Sequence, residues 1–213
     1  MSVVIVFCSV LAMVSGIIGK AYLNKRLLLF FIYSSICAFT EVLLLMHVGS
    51  NDNHWIISWF ILLETPLLVW ALLNLTRDKV IWIFGIAGTL IFTVIWLSDA
   101  IHIGVERLSI WGLTAQGILF SILSVIVLLQ TMLEPTSYSV KPEFWILIGV
   151  FVFFGTSLGT NICYLFVTGE KTSGLLGKYL LYSLTIGNIV TYLLYSIGFL
   201  CNYPSRRQNL LLE

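Results

Sequence analysis

Two carboxylic acids, Glu41 and Glu64, stand inside stretches of the chain that are otherwise strongly apolar. A carboxyl group in such a setting can act as a general acid or base, or as one step of a proton relay. Because a charge inside hydrocarbon is costly, an ionisable residue there is a functional hypothesis by default. The alternative is a protonated glutamic acid that hydrogen-bonds to a neighbouring helix and only holds the bundle together. Both interpretations stay open at the level of sequence.

The rest of the chain places these acids in a membrane. Of its 213 residues, 59% are hydrophobic and 10% are charged, whereas a soluble domain has about 25% charged residues. A helix that crosses a bilayer needs about 20 apolar residues. Seven segments meet this requirement: residues 2–19, 27–48, 54–76, 80–101, 109–133, 144–167 and 179–201. The sequence therefore predicts an all-α integral membrane protein, a single seven-helix bundle over residues 1–213.

The orientation follows from the basic residues in the short loops. Three of the eleven Lys and Arg residues lie on one side, and the other eight lie on the opposite side, namely Lys20, Lys25, Arg26, Arg77, Lys79, Lys141, Arg206 and Arg207. Basic residues are enriched in cytoplasmic loops. We therefore expect the N-terminus outside and the C-terminus in the cytoplasm.

More polar residues lie at comparable depth in the predicted spans. Glu64 is about ten residues from the outer end of its span, or roughly 15 Å at 1.5 Å per residue. Pro66 follows it and should kink the helix. Asn188 lies at about the same depth, and Glu41, Asn161 and Gln116 fall in the outer half or near the middle. Together these five side chains predict a polar pocket that opens outward, although each amide alone also fits an interhelical hydrogen bond.

A second polar group lies at the outer edge of the bundle. Asp99, His102 and Glu106 are spaced by three and four residues, so they share one face of a continuing helix. With His47 and His54 nearby, they are weak candidates for a zinc site or a pH sensor. Polar residues in wet interfacial loops need no ligand, however, so the sequence predicts no metal.

Several established chemistries are missing from the sequence. It contains no GxSxG, phosphate-binding loop or HExxH motif. No His follows His102, which argues against the zinc-dependent membrane hydrolases that resemble ceramidases. The seventh span has no Lys at its middle, where a retinal protein would carry its Schiff base. The net charge of +1 gives no argument for nucleic acid. We expect no cofactor, and enzymatic activity is the less favoured interpretation.

Three segments resemble a family of bacterial seven-span inner-membrane proteins that carries no functional assignment. They are WFILLETPLL with Glu64, KPEFWILIGVFVFFGTSL at the start of the sixth span, and GNIVTYLLYSIGF in the seventh. The matching positions are Glu64, Pro142, Trp145, Gly149, Gly155, Asn188, Tyr195 and Gly198. The resemblance implies the bacterial inner membrane as the location. The chain departs from the family at Leu147, where members often have Asn, and at Leu184-Thr185, where they have His-Asn.

Three functions fit these observations. The preferred one is a sensory or ligand-binding module, surrounded by membrane lipid, that binds a small molecule or a lipid from outside and signals to a cytoplasmic partner. The alternatives are a proton-coupled small-molecule transporter that uses Glu41 and Glu64 as its relay, and a lipid-modifying enzyme that uses the same carboxyl groups. In the sixth span, Gly155 and Gly159 have the spacing that allows close helix packing, and we expect them to contact another helix of this chain.

Overall fold

The computed structural model describes residues 2–47, 54–105, 109–133, 141–167 and 174–209. Seven α-helices and no strand occur in these ranges, and a short 3-10 turn at Ala21–Leu23 joins the first two helices. The prediction of an all-α chain is confirmed, and each helix falls on a predicted span. The helices are α1 Ser2–Ile18, α2 Leu28–Met46, α3 His54–Leu73, α4 Lys79–Ile103, α5 Ile110–Leu133, α6 Pro142–Val167 and α7 Gly174–Asn209.

Six helices, α2 to α7, are long and apolar enough to cross a membrane. This supports an integral, multi-pass membrane protein. With 17 residues, α1 is about 25 Å long, whereas the hydrocarbon core of a bilayer is about 30 Å thick. A seventh span formed by α1 therefore stays a prediction. At the other extreme, α7 has 36 residues and continues past the predicted end of its span at residue 201.

The helices form a ring of six with one helix outside it. Going round the ring, α1 packs on α2, α2 on α3, α3 on α5, α5 on α6, α6 on α7, and α7 again on α1. Helix α4 packs on the outer side of α3 and α5. Burial agrees, because 56% of the apolar window of α3 is buried against 22% of that of α4. Helix α3, which carries Glu64, is thus the most enclosed of the six long helices.

Side-chain amides tie the helices together where the basic loops lie. The Asn202 side chain on α7 donates to the carbonyl of Gly19 at 2.8 Å and accepts from Asn24 at 2.9 Å. Nearby, Asn74 donates to the carbonyl of Lys25 at 3.1 Å. We call this the basic end of the bundle, where α1, α3, α5 and α7 finish and α2, α4 and α6 begin. The opposite end is called the far end.

Glycines allow close helix contacts on α4 and α7, but not at the two positions of α6 where the sequence predicts them. A methyl group added at Gly85 would meet Leu73 of α3 at 3.1 Å, and one at Gly187 would meet Thr156 of α6 at 3.2 Å. In contrast, no described atom lies within 4 Å of a methyl group built on Gly155 or Gly159. The expectation that this pair packs against another helix of the chain is therefore wrong. Close spacing of two glycines makes such packing sterically feasible, but it does not determine which face of α6 turns inward.

The tightest approach between α1 and α7 predicts a strong effect of Gly19→Ala. An added methyl group would lie 1.9 Å from the backbone oxygen of Phe199, and no side-chain movement relieves a clash with backbone. We expect a loss of about 1–3 kcal/mol, as for other overpacked sites, measured as a lower Tm in detergent. The matched control is Gly159→Ala, which should equal or exceed the wild-type Tm because alanine is the better helix former. Equal melting of the two variants would contradict this packing.

Candidate functional site

Glu64 is buried in the middle of the bundle and is only 4% exposed. It lies on α3, which continues as a helix through Pro66. Because proline has no N–H, the carbonyl of Leu62 lacks the donor that a regular helix would supply. Glu64 thus lies beside the one position of α3 where the backbone ladder is interrupted.

Both oxygens of the Glu64 carboxyl group accept hydrogen bonds from neighbouring helices. The Tyr33 hydroxyl of α2 donates to Oε1 at 2.8 Å, and Gln116 Nε2 of α5 donates to Oε2 at 2.9 Å. Gln116 Nε2 also donates at 3.0 Å to the hydroxyl of Thr65, which itself donates to the carbonyl of Ile61. Each member of this network therefore has at least one hydrogen-bond partner, as a polar group in a low-dielectric interior requires. The network joins α2, α3 and α5.

A cavity of about 480 Å³ opens beside this network. Its wall comes from α2, α3, α5, α6 and α7, with Ile5 as the contribution of α1, and no described residue of α4 takes part. Most lining residues of α2 and α6 come from the C-terminal halves of these helices, and most of those of α3 and α5 come from the N-terminal halves. Tyr33, Glu64 and Phe153 lie nearer the basic end and form the inner limit of the cavity. The cavity therefore lies in the half of the bundle nearer the far end.

All five side chains predicted to form a polar pocket line this one cavity, namely Glu41, Glu64, Gln116, Asn161 and Asn188. The structure thus brings together residues from five helices that the sequence could place only by depth. Their role in binding a ligand or moving protons stays a prediction. Asn161 also contacts the hydroxyl of Ser157, one turn earlier on α6, at 3.4 Å.

Glu41 differs from Glu64 in having no hydrogen-bond partner among the described residues. Its side chain is half-buried on α2 and lines the cavity, and it makes no hydrogen bond or ion pair with a described residue. No Lys, Arg or His is found among the described residues that line the cavity. The described wall of the cavity therefore carries two carboxyl groups and no basic side chain.

Three tyrosines of the cavity wall were not expected from the sequence. Tyr33, Tyr192 and Tyr195 all line the cavity and are buried. The rings of Tyr33 and Tyr195 lie 6.2 Å apart at 71°, and those of Tyr192 and Tyr195 lie 6.4 Å apart at 79°. The spacing of Tyr192 and Tyr195 by three residues, beside Asn188, was the available signal. Among so many aromatic residues in apolar spans, this signal did not stand out.

The weak metal candidates do not converge. The described residues contain no group of three His, Cys, Asp or Glu side chains that could hold a metal ion. His47 Nδ1 lies 2.9 Å from the carbonyl of Leu43, and His102 Nδ1 lies 2.7 Å from that of Ser98, so each ring bonds to its own helix. His54 is exposed on α3, and Glu106 lies outside the described residues.

Asp99 has a structural role instead. Its carboxyl group accepts a hydrogen bond from the Ser109 hydroxyl, which in turn accepts from the backbone N–H of Gly112 at 2.8 Å. A serine hydroxyl that accepts a hydrogen bond from the backbone N–H three residues later is a usual N-cap of a helix. Asp99 therefore fixes the start of α5 against the end of α4.

Comparison of the chain with protein-family models, with curated proteins and with solved structures finds no match. The resemblance to bacterial seven-span proteins therefore stays a prediction, and the function has to be argued from the site itself.

The network around Glu64 predicts a measurable coupling between Tyr33 and Glu64. Tyr33→Phe removes the hydroxyl that donates to Oε1, so the variant should melt at a lower temperature than wild type. A double-mutant cycle with Glu64→Leu, which removes the acceptor, should give a coupling of about 0.6 kcal/mol or more, the average for interhelical hydrogen bonds in membranes.

The matched control for this cycle is Tyr22→Phe, because Tyr22 is 42% exposed and its hydroxyl bonds to no described residue. Its coupling to Glu64→Leu should be zero within error. If Tyr33→Phe also shows no coupling, the hydrogen bond between α2 and α3 does not contribute to folding.

Proposed function

We propose that this chain is a ligand-binding membrane module of the sensory type, located in a bacterial inner membrane with its N-terminus outside. The observation that carries the proposal is one cavity that unites the polar side chains of five helices. Its volume falls within the range of about 300–1,000 Å³ that is usual for small-molecule sites. Its wall is mainly apolar with a few convergent polar groups, which is the usual composition of such sites.

Access from the outer side follows from the charges of the loops. The basic end carries most of the Lys and Arg residues and faces the cytoplasm in the proposed orientation. The cavity, in the half near the far end, then opens toward the outer leaflet. Leu181 of α7 lines the cavity and is nevertheless 61% exposed, so the wall continues to the surface there.

Helix α7 supplies a route for a signal. It lines the cavity with Thr185, Asn188, Tyr192 and Tyr195, and the same helix continues to Asn209 at the basic end. If the bundle adopts two arrangements, a ligand that binds α7 more tightly in one of them shifts the equilibrium toward that arrangement. The proposed cytoplasmic partner would sense this shift at the end of α7.

Packing below the cavity favours binding over transport. One turn closer to the basic end, the helices that carry Tyr33, Glu64 and Tyr195 place side chains that are at most 1% exposed, namely Phe30, Leu68 and Phe199. A transporter needs access to its site from both sides of the membrane, and therefore a route through this closely packed layer. Proton-coupled transport and lipid modification remain the alternative functions of the same carboxyl groups.

A variant that fills the cavity tests ligand binding directly. Thr185 is buried and lines the cavity, so Thr185→Phe should occupy ligand space. After purification in nanodiscs of bacterial lipid, native mass spectrometry should detect a bound small molecule on the wild type and lose it with Thr185→Phe. The control is Ser183→Phe, on the exposed side of the same helix, which should retain the bound mass. Equal occupancy of wild type and Thr185→Phe would argue against this function.

The orientation predicts which ends react from outside. In a cysteine-free variant, single cysteines replace His54 at the far end and Lys79 at the basic end. An impermeant maleimide should label the His54→Cys variant in intact cells, and should label the Lys79→Cys variant only after the cells are made permeable. The reverse labelling pattern would contradict this orientation and would place the cavity in the inner leaflet.

A further inference from the structure

The charge inside the cavity is unbalanced. Two carboxyl groups line it, and the described lining residues include no basic side chain to pair with them. Taking a carboxylate out of water costs several kcal/mol unless a partner compensates the loss of hydration. Glu64 has its compensation from Tyr33 and Gln116. Glu41 has none among the described residues, so a positively charged ligand would supply what the protein does not.

The tyrosines provide a second feature that suits a cation. The faces of aromatic rings are negative, and a cation within about 6 Å of a ring centre is attracted to them. The ring of Tyr195 stands at 71° to that of Tyr33 and at 79° to that of Tyr192. The ring of Tyr195 is therefore nearly perpendicular to both of its neighbours, so the cavity wall presents ring faces in at least two directions, as an aromatic site for an ammonium group requires.

The Tyr195 hydroxyl is an independent sign of a ligand. Tyr195 is 1% exposed and lines the cavity, and its hydroxyl has no hydrogen-bond partner among the described residues. Buried polar atoms almost always have a partner, and each exception calls for an explanation. A hydroxyl oxygen accepts hydrogen bonds, and an ammonium N–H is a donor of the kind that it lacks. The oxygen is enclosed by protein atoms, so such a ligand reaches it only when the cavity wall moves.

The rest of the cavity suits an apolar chain. Leu44, Leu45, Ile57, Leu181 and Leu184 line it, and none of them carries a polar side-chain atom. The same wall that carries carboxyl and tyrosine groups thus continues as an aliphatic surface.

We infer that the ligand is an organic ammonium ion with an apolar chain, its charged group held between Glu41 and the three tyrosines. The inference rests on the proposed function and specifies the chemistry of its ligand. A free amphiphilic amine and the amine of a lipid headgroup share this chemistry. The lipid would also bring a phosphate, for which the described cavity wall offers no cation.

The test compares three probes of equal chain length and different charge: hexylammonium, hexanol and hexanoate. A ligand that binds only the folded state raises the Tm in a saturable way. We expect hexylammonium to reach half-saturation at a concentration about tenfold lower than hexanol, from one favourable charge contact in a partly buried site. Hexanoate should not raise the Tm. Dihexanoyl phosphatidylethanolamine distinguishes the sources, because binding as tight as that of hexylammonium would assign the ammonium group to a lipid.

Two variants locate the charged group. Glu41→Gln should remove the preference for hexylammonium over hexanol, whereas the control Glu143→Gln at the basic end should preserve it. Tyr195→Phe removes a hydroxyl that has no close hydrogen bond to a described residue but interacts with Tyr33, so the variant should lose less Tm than Tyr33→Phe does. The Tyr195→Phe variant should weaken the binding of hexylammonium several-fold more than the binding of hexyltrimethylammonium, which has no N–H to donate.

The outcomes separate this inference from the function on which it rests. Equal half-saturation by hexanol and hexylammonium, or tighter binding of hexanoate, would overturn the ammonium assignment while leaving a ligand-binding cavity. The ammonium assignment also fails alone if no probe raises the Tm but Thr185→Phe still removes a bound mass. If Thr185→Phe removes nothing and no probe binds, both proposals fail.

Discussion

The low dielectric of the membrane interior is the constraint on which the arrangement depends. A carboxyl group there has to find its donors within the protein, because lipid offers none. Glu64 meets this requirement with Tyr33 from one side and Gln116 from the other. Satisfying one acid therefore determines which faces of α2, α3 and α5 turn inward. Contacts between apolar side chains alone could not determine these faces, because the lipid tails are as apolar as the side chains.

The same requirement explains why a cavity lies beside the acid. Polar side chains that turn inward from α6 and α7, such as Asn161 and Asn188, join those of α2, α3 and α5 on one wall. Amides, hydroxyls and carboxyl groups do not fill space as branched aliphatic residues do, and they favour polar contents. Toward the basic end the interior returns to close packing around Phe30, Leu68 and Phe199. The polar half of the bundle is thus the half with room for a ligand.

The sequence allowed depth to be predicted but not rotation. Hydropathy and loop charges locate each residue along the membrane normal, which is why Glu64 and Asn188 could be assigned to one level. Rotation is normally read from the contrast between polar and apolar faces. In these helices nearly every face is apolar, so Tyr192 and Tyr195 were missed and Gly155 was assigned to a helix contact that the described residues do not make. The last residues of α7 are less apolar than the rest of the helix, so hydropathy did not predict that α7 extends to Asn209.

The two glutamates therefore have different roles, although the sequence presents them as a pair. Glu64 is already satisfied by protein donors, so a ligand gains little from it and its removal weakens the bundle. Glu41 contributes nothing to described hydrogen bonding, so it is the carboxyl group that is available to a ligand. Both roles meet on α2, where Tyr33 and Glu41 lie eight residues apart, or slightly more than two turns. In the proposed function, a charge that binds at Glu41 would act on the helix that anchors Glu64, and recognition would be coupled to the interaction that holds the bundle together.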